Sequence, residues 1–195
     1  MNWAGVLSLL LFLLALTTTW WWMEGYLPNL RGFIKYNGNP ITFVWSSGNT
    51  SSLGLSLEIF RWLSGEGRLP PGVAYRTGIA KFFLTLCTVS LSLALLLSIY
   101  ALLMRSSRAY FTASVLVFIS FILFEFAFLS MEAPRTASLT FDVNGEQAYV
   151  KWGEGIGKYS AVLLSGVLLL SGFVNSYLYE RPVTPRRPRR ARSYW

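Results

Sequence analysis

Histidine is absent from the 195 residues, and cysteine occurs once, as Cys87. Without an imidazole, a haem held by two histidines, a histidine-based copper or zinc site, and a Ser-His or Cys-His nucleophile pair are all excluded within this chain. A single thiol excludes an internal disulfide, a cysteine-ligated iron–sulfur cluster and a CxxC motif. Charge is scarce as well: 13% of the residues are charged, and the 17 Lys and Arg outnumber the 9 acids. These absences point away from an enzyme and away from any cofactor or metal.

What fills the space is apolar. Hydrophobic residues make up 53% of the chain, and they come in long blocks rather than in stripes of period 2 or 3.6, the pattern of an integral membrane protein. The expected fold is mainly α-helical: a four-transmembrane-helix bundle with a small extracytoplasmic antiparallel β-sheet built from both outer loops. Its centre is a hairpin of two apolar runs, residues 82–104 and 110–131, each long enough at 1.5 Å per residue to cross about 30 Å of hydrocarbon. Only residues 105–109 separate them, which makes the two spans antiparallel neighbours. Arg105 and Arg108 in that turn hold it on the cytoplasmic side, because Lys and Arg resist translocation.

Residues 1–23 read as the first span, closed by an interface belt of Trp20, Trp21 and Trp22, whose rings are buried while their N–H groups are wet. A cleaved signal peptide is the competing reading, but the run lacks a positively charged n-region and a small-x-small cleavage site. Residues 159–179 form the fourth span, leaving both termini cytoplasmic.

The loop of residues 24–81 is too long for a simple turn. Phe33 to Tyr36 and Ile41 to Trp45 read as two short strands around Asn37, Gly38, Asn39 and Pro40. Leu53, Leu57, Phe60 and Leu63 recur at helical spacing, the pattern of a short amphipathic helix. Asn49 opens a glycosylation sequon with Thr50 and Ser51. In the second loop, residues 132–158, the strands 138–143 and 146–152 flank Asn144-Gly145, a type I′ hairpin whose turn residues tolerate positive φ. An isolated hairpin is marginal in water, so the two loops are expected to share one sheet. Gly153, Gly155 and Gly157 form a G-x-G-x-G run that follows a hairpin and enters a span, and so serves a sharp turn rather than a phosphate loop.

Three kinds of residue are candidates for contact or chemistry. Glu125 is an acid inside an apolar span, expensive unless it meets a partner or water. Arg76 or Lys81 at the outer end of the neighbouring span is its expected partner. Small residues line one face of the second span, Ser90, Ala94 and Ser98, and one face of the fourth, Ala161, Ser165, Gly172 and Ser176, where another helix can approach closely. Asn175 reads as a helix-to-helix hydrogen bond. The tail, residues 180–195, holds six Arg, among them Arg186, Arg187, Arg189, Arg190 and Arg192, interleaved with three Pro that prevent a helix. Such a tail is drawn to anionic lipid headgroups or to an acidic partner surface; nucleic acid is a poor reading of it.

The four spans, the Trp20 to Trp22 exit from the first, the turns at Asn37-Gly38 and Asn144-Gly145, and Trp152 to Tyr159 entering the fourth together resemble the layout of the claudin superfamily. The family's first-loop motif of Trp, Gly-Leu-Trp and two cysteines is not repeated here, where Gly54-Leu55 is followed by Ser56. The resemblance implies a left-handed four-helix bundle capped by a sheet, a scaffold used by non-enzymatic accessory subunits. The leading expectation for function is a non-catalytic membrane subunit that docks on and stabilises a larger membrane protein complex. A claudin-like self-assembling surface protein is the alternative, and a small transporter or channel using Glu125 is the third. Truncation after Arg181 is expected to leave the fold intact, checked by unfolding of the detergent-solubilised protein; failure of the shortened chain to insert would contradict a separate role for the tail.

Overall fold

The computed structural model describes residues 2–27, 32–44, 73–131, 136–143 and 145–179. Helix α1 (Trp3–Thr17) is followed by strands β1 (Trp21–Leu27) and β2 (Gly32–Gly38) and a single-turn helix α2 (Pro40–Val44). Then come helices α3 (Val73–Met104) and α4 (Ser107–Met131), strands β3 (Ala137–Val143) and β4 (Glu146–Glu154), and helix α5 (Gly157–Tyr179). The expected amphipathic helix around Leu53 to Leu63, the Asn49 sequon and the arginine tail lie outside the described residues.

Three helices are long and apolar enough to cross a membrane: Phe82–Met104, Ser107–Ser130 and Gly157–Tyr179. Their outward surfaces are apolar, with Leu96, Leu103, Phe118, Leu129, Leu163 and Phe173 all exposed. Their contacts inside the protein combine an apolar core, with Leu84, Leu91, Tyr110, Val117, Phe124, Leu164 and Leu168 buried, with small and polar groups: Ser90, Ser98, Ser114, Ser120, Ser165, Ser171 and Asn175 are buried too. An apolar exterior over an interior that also buries serines and Asn175 fits helices able to cross a membrane, where close approach and interhelical hydrogen bonds add to packing.

Helix α4 lies between α3 and α5, and α5 lies between α4 and α1. Asn2 caps α1 by accepting from the Gly5 amide at 3.1 Å and also donates through Nδ2 to the Ser171 carbonyl, 3.1 Å away near the end of α5. At the other end of α1 the Gly157 amide donates to the Thr19 carbonyl at 2.8 Å. Helices α1 and α5 are therefore antiparallel. Asn175 Nδ2 donates to the Arg105 carbonyl at 2.5 Å, which puts the α3–α4 turn at the same end as the start of α1. The sheet belongs to the opposite end.

That turn is tighter than a five-residue link. Arg105 takes φ +54°, and the Ser106 amide reaches back to the Ala101 carbonyl at 3.1 Å, the closing bond of a Schellman motif with an arginine where glycine usually stands. Ser106 then begins the next helix, its Oγ accepting from the Ala109 amide at 3.3 Å.

The sheet has the order β2-β1-β4-β3 with every pair antiparallel. The β3–β4 hairpin follows its turn chemistry: Val143 stands opposite Glu146, Gly145 has φ +85°, and the Gly145 amide donates to Asp142 Oδ1 at 2.7 Å. The central β1–β4 pairing joins the two loops into one sheet. Trp21, Met23 and Gly25 alternate with Trp22, Glu24 and Tyr26 on β1, and Ala148, Val150 and Trp152 with Tyr149 and Lys151 on β4, so one face is buried and the other open.

Two readings of the first loop need correction. The apolar run does not stay helical through residue 23: α1 stops at Thr17, and Trp21 to Leu27 form a strand. Three consecutive threonines explain the stop, since β-branched residues are weak helix formers and the Thr17 and Thr18 hydroxyls bond back to the Leu13 and Leu14 carbonyls. Helix α1 thus has 15 residues, about 22 Å at 1.5 Å each, short of a full crossing. The second correction is at Ile41 to Val44, which turn as a helix instead of running as a strand. Asn39 Oδ1 accepts from the Thr42 amide and Thr42 Oγ1 accepts from the Asn39 amide, both at 2.9 Å. With Pro40 at the first helical position this is a reciprocal N-terminal cap. The partner of β2 is accordingly β1, not the segment after Pro40.

Helix α2 packs on both α1 and α3. Thr88 Oγ1 donates to the Pro40 carbonyl at 3.0 Å, and Asn39 Nδ2 to the Thr17 carbonyl at 3.3 Å. Thr88 lies inside the Phe82–Met104 apolar segment, so α2 sits beside the space that a longer α1 would have filled.

At the far end, wholly buried Tyr110 presses its hydroxyl toward Gly5 and has no hydrogen-bond partner for it among the described residues. A Cβ on Gly5 would come within 2.2 Å of that oxygen. Gly5→Ala is therefore expected to lower stability by about 1–3 kcal/mol through overpacking. Tyr110→Phe is expected to be neutral or mildly stabilising, and combined with Gly5→Ala to recover part of the loss. Thermal unfolding of the four proteins in one detergent checks this, and additive effects would contradict the contact.

Candidate functional site

Lys158 is the second residue of α5 and is 2% exposed, an ammonium at the positive end of a helix dipole inside the protein. Neither setting favours a cation. Two carboxylates compensate: Glu125 Oε1 of α4 lies 3.0 Å from Nζ, and Glu154 Oε2 at the end of β4 lies 2.6 Å away, four residues back along the chain. Both acids are 16% exposed on their side chains. The Tyr159 ring adds its face to the same ammonium, 5.1 Å from the centroid.

The chain around the cluster allows this approach. Gly155 donates its amide to the Trp20 carbonyl at 2.7 Å and Gly157 to the Thr19 carbonyl at 2.8 Å. A Cβ on Gly155 would lie 1.9 Å from the Thr19 oxygen, and one on Gly157 2.5 Å from Trp20 Cδ1. The two glycines let β4 and α5 press against the segment leaving α1, with Glu154 and Lys158 facing each other across the strand-to-helix turn.

Trp20 fills the centre of this junction. It is wholly buried, its Nε1 donates to the Ala15 carbonyl at 2.7 Å, and its ring meets Phe124 edge-to-face with centroids 5.1 Å apart. Its own amide donates to the Gly38 carbonyl at 2.8 Å. Phe124 precedes Glu125, so the aromatic contact and the ion pair fix the same stretch of α4. Trp21 continues the contact onto Phe128, 5.7 Å between centroids.

No protein-family model matches the sequence. No curated protein matches it either.

The sequence-predicted residues fall into three groups. Glu125 is paired with Lys158 of α5; the side chains of its expected partners, Arg76 and Lys81, lie outside the described ones. Lys158 was not singled out by sequence reasoning because it stands at a loop-to-helix boundary. Its position four residues after Glu154, at the mouth of an apolar helix, was the available signal.

The small-residue faces are spent inside the chain. Ser90 Oγ donates across to the Leu116 carbonyl of α4 at 2.8 Å, and Ala94 and Ser98 are buried. On α5, Ala161 is wholly buried, Ser165 and Ser114 have their hydroxyls 3.1 Å apart, and a Cβ on Gly172 would meet the Phe111 ring at 2.7 Å. Ser176 is half-buried. These faces join α4 to its two neighbours and do not present an open groove to another protein.

The tryptophans are likewise placed differently from an interface belt. Trp20 and Trp21 are buried and only Trp22 is partly open. Arg186, Arg187, Arg189, Arg190 and Arg192 lie outside the described residues.

Chemically, the cluster is an ammonium balanced by acids from two elements, suited to locking the sheet onto the helices. Lys158→Met would remove the ammonium that both carboxylates face and is expected to destabilise by about 3–5 kcal/mol. Glu125→Gln alone should cost less, and adding Glu125→Gln to Lys158→Met should recover part of the loss. A double-mutant cycle on unfolding in detergent reads the coupling; strictly additive losses would remove this role.

Proposed function

We propose that this chain is a non-catalytic, multi-pass membrane subunit that docks on and stabilises a larger membrane protein complex, with its sheet outside and both termini on the cytoplasmic side. The observation that carries this reading is the open face of the sheet. Glu24 stands directly between Lys35 and Lys151 across the strands, and partly exposed Trp22, Tyr26 and Tyr149 surround that row. A hollow of about 180 Å³ lies against Trp22, Glu24, Lys35 and Asn37. Tyr and Trp anchors with a few fixed charges are the composition of protein-binding surfaces.

Rigidity supports the same reading. The face is braced from behind by Trp20, the paired glycines and the Lys158 cluster, so little order has to be acquired on binding. Engagement of Glu125 by Lys158 favours a structural use of that acid over ion handling. Because the small-residue helix faces are occupied internally, contact with a partner falls to the sheet and the apolar outer surfaces of the helices. The basic turn at Arg105 and Arg108, together with the arginine tail, favours the cytoplasmic assignment of that end.

Extraction from native membranes in mild detergent, followed by identification of every protein in the particle, tests the proposal. A defined hetero-complex is expected, and Glu24→Lys or Tyr149→Ala should release the partner without lowering the unfolding temperature. A homogeneous homo-oligomer would overturn the accessory role in favour of lateral self-assembly, and ion flux through the pure chain would overturn it in favour of conduction.

A further inference from the structure

We propose that the α3–α4 turn and the last turn of α5 form a binding site for the phosphate headgroups of anionic phospholipids; this rests on reading the long helices as membrane spans. Arg105 is held there from two sides by α5. Its carbonyl accepts from Asn175 Nδ2 at 2.5 Å, and its guanidinium carbon sits 4.7 Å above the Tyr179 ring. A stacked guanidinium is fixed in position without consuming its charge. Arg108, exposed in the first turn of α4, adds a second guanidinium beside the positive end of that helix dipole.

No carboxylate offsets them at this end among the described residues. The five described acids are Glu24, Asp142, Glu146 and Glu154 of the sheet strands and Glu125, which is bound to the cluster beside them. From Tyr179 the sequence continues with Glu180 and six more arginines up to residue 195.

The surrounding side chains mark the level of a membrane surface. Trp3 is 71% exposed at the start of α1, Tyr100 51% one turn before the end of α3, and Tyr177 64% in the last turn of α5. Exposed aromatics on three helices toward one end of the bundle are the composition of an interfacial belt. They are spread over three helices rather than gathered on one, which suits a lipid surface better than one acidic protein docking from a single direction. The belt lies at the end opposite Trp20, Trp21 and Trp22.

The test is native mass spectrometry of the whole chain in mild detergent, titrated with phosphatidylglycerol and with phosphatidylcholine of identical acyl chains. The wild type should retain phosphatidylglycerol preferentially, and the preference should shrink as the salt in the titration is raised before desalting. R105Q/R108Q should weaken it about tenfold or more. R105K/R108K should keep most of it, and K35Q/K151Q at the sheet end should leave it unchanged. Equal retention of the two lipids by the wild type, or an undiminished preference in R105Q/R108Q, overturns the site. Loss of a co-purifying protein from R105Q/R108Q with lipid preference intact makes the surface a protein dock and also overturns it. Release of the wild-type chain from membranes by alkaline carbonate would instead overturn the spanning reading on which the site depends.

Discussion

A buried ammonium survives only if its charge is balanced where it lies, and Lys158 is balanced by carboxylates that arrive on two different elements. Glu154 ends a strand and Glu125 belongs to a helix, so the ion cluster can form only when the sheet has one orientation over the bundle. The contacts around it obey that requirement. Gly155 and Gly157 have no room for side chains because the chain leaving α1 passes directly against them, and Trp20 closes the gap those glycines leave. The cluster does not need to add much net stability to matter. Breaking it would leave uncompensated charge, and this asymmetry makes the geometry specific.

The bundle below is apolar inside and out. Serines, Asn2 and Asn175 stitch helix to helix among buried Phe12, Leu91, Phe124, Leu164 and Leu168, while further leucine, phenylalanine and isoleucine side chains face outward. In water such an arrangement would expose far too much apolar surface. In hydrocarbon it is the economical one: outward apolar groups lose nothing, and each internal hydrogen bond satisfies a group that would otherwise have none. The same rule explains why Ser90, Ser165 and Gly172 are occupied within the chain. Small residues permit close approach by whichever helix arrives, and the two-residue turn at Arg105 ensures that α4 is already beside α3.

What was legible in the sequence is what local chemistry decides. The long helices follow from apolar length, and the β3–β4 hairpin from Asn144-Gly145, a turn that few other residues can make. The shared sheet followed from the marginal stability of each hairpin alone. Less legible were positions with two valid uses. Tryptophan suits a membrane interface and equally a buried strand, and only pairing of β1 with both β2 and β4 decides for the strand. Asn39-Pro40 is a turn signal and a helix start, and the Thr42 cap selects the latter. Lys158 was hidden for another reason: it stands at a loop-to-helix boundary, and its partners lie 33 residues before it and four before it.

The placement of α1 has a consequence for the order in which the molecule is assembled. Its main neighbour is α5, and the bond from Asn2 to Ser171 joins residues 169 apart. Helix α1 therefore gains most of its contacts only after α5, which follows it in the chain, has emerged. Until then it is a 15-residue apolar segment too short to cross a bilayer unaided, and the intervening hairpin must already be in place to receive it. Helix α1 is thus settled later than the α3–α4 hairpin that follows it.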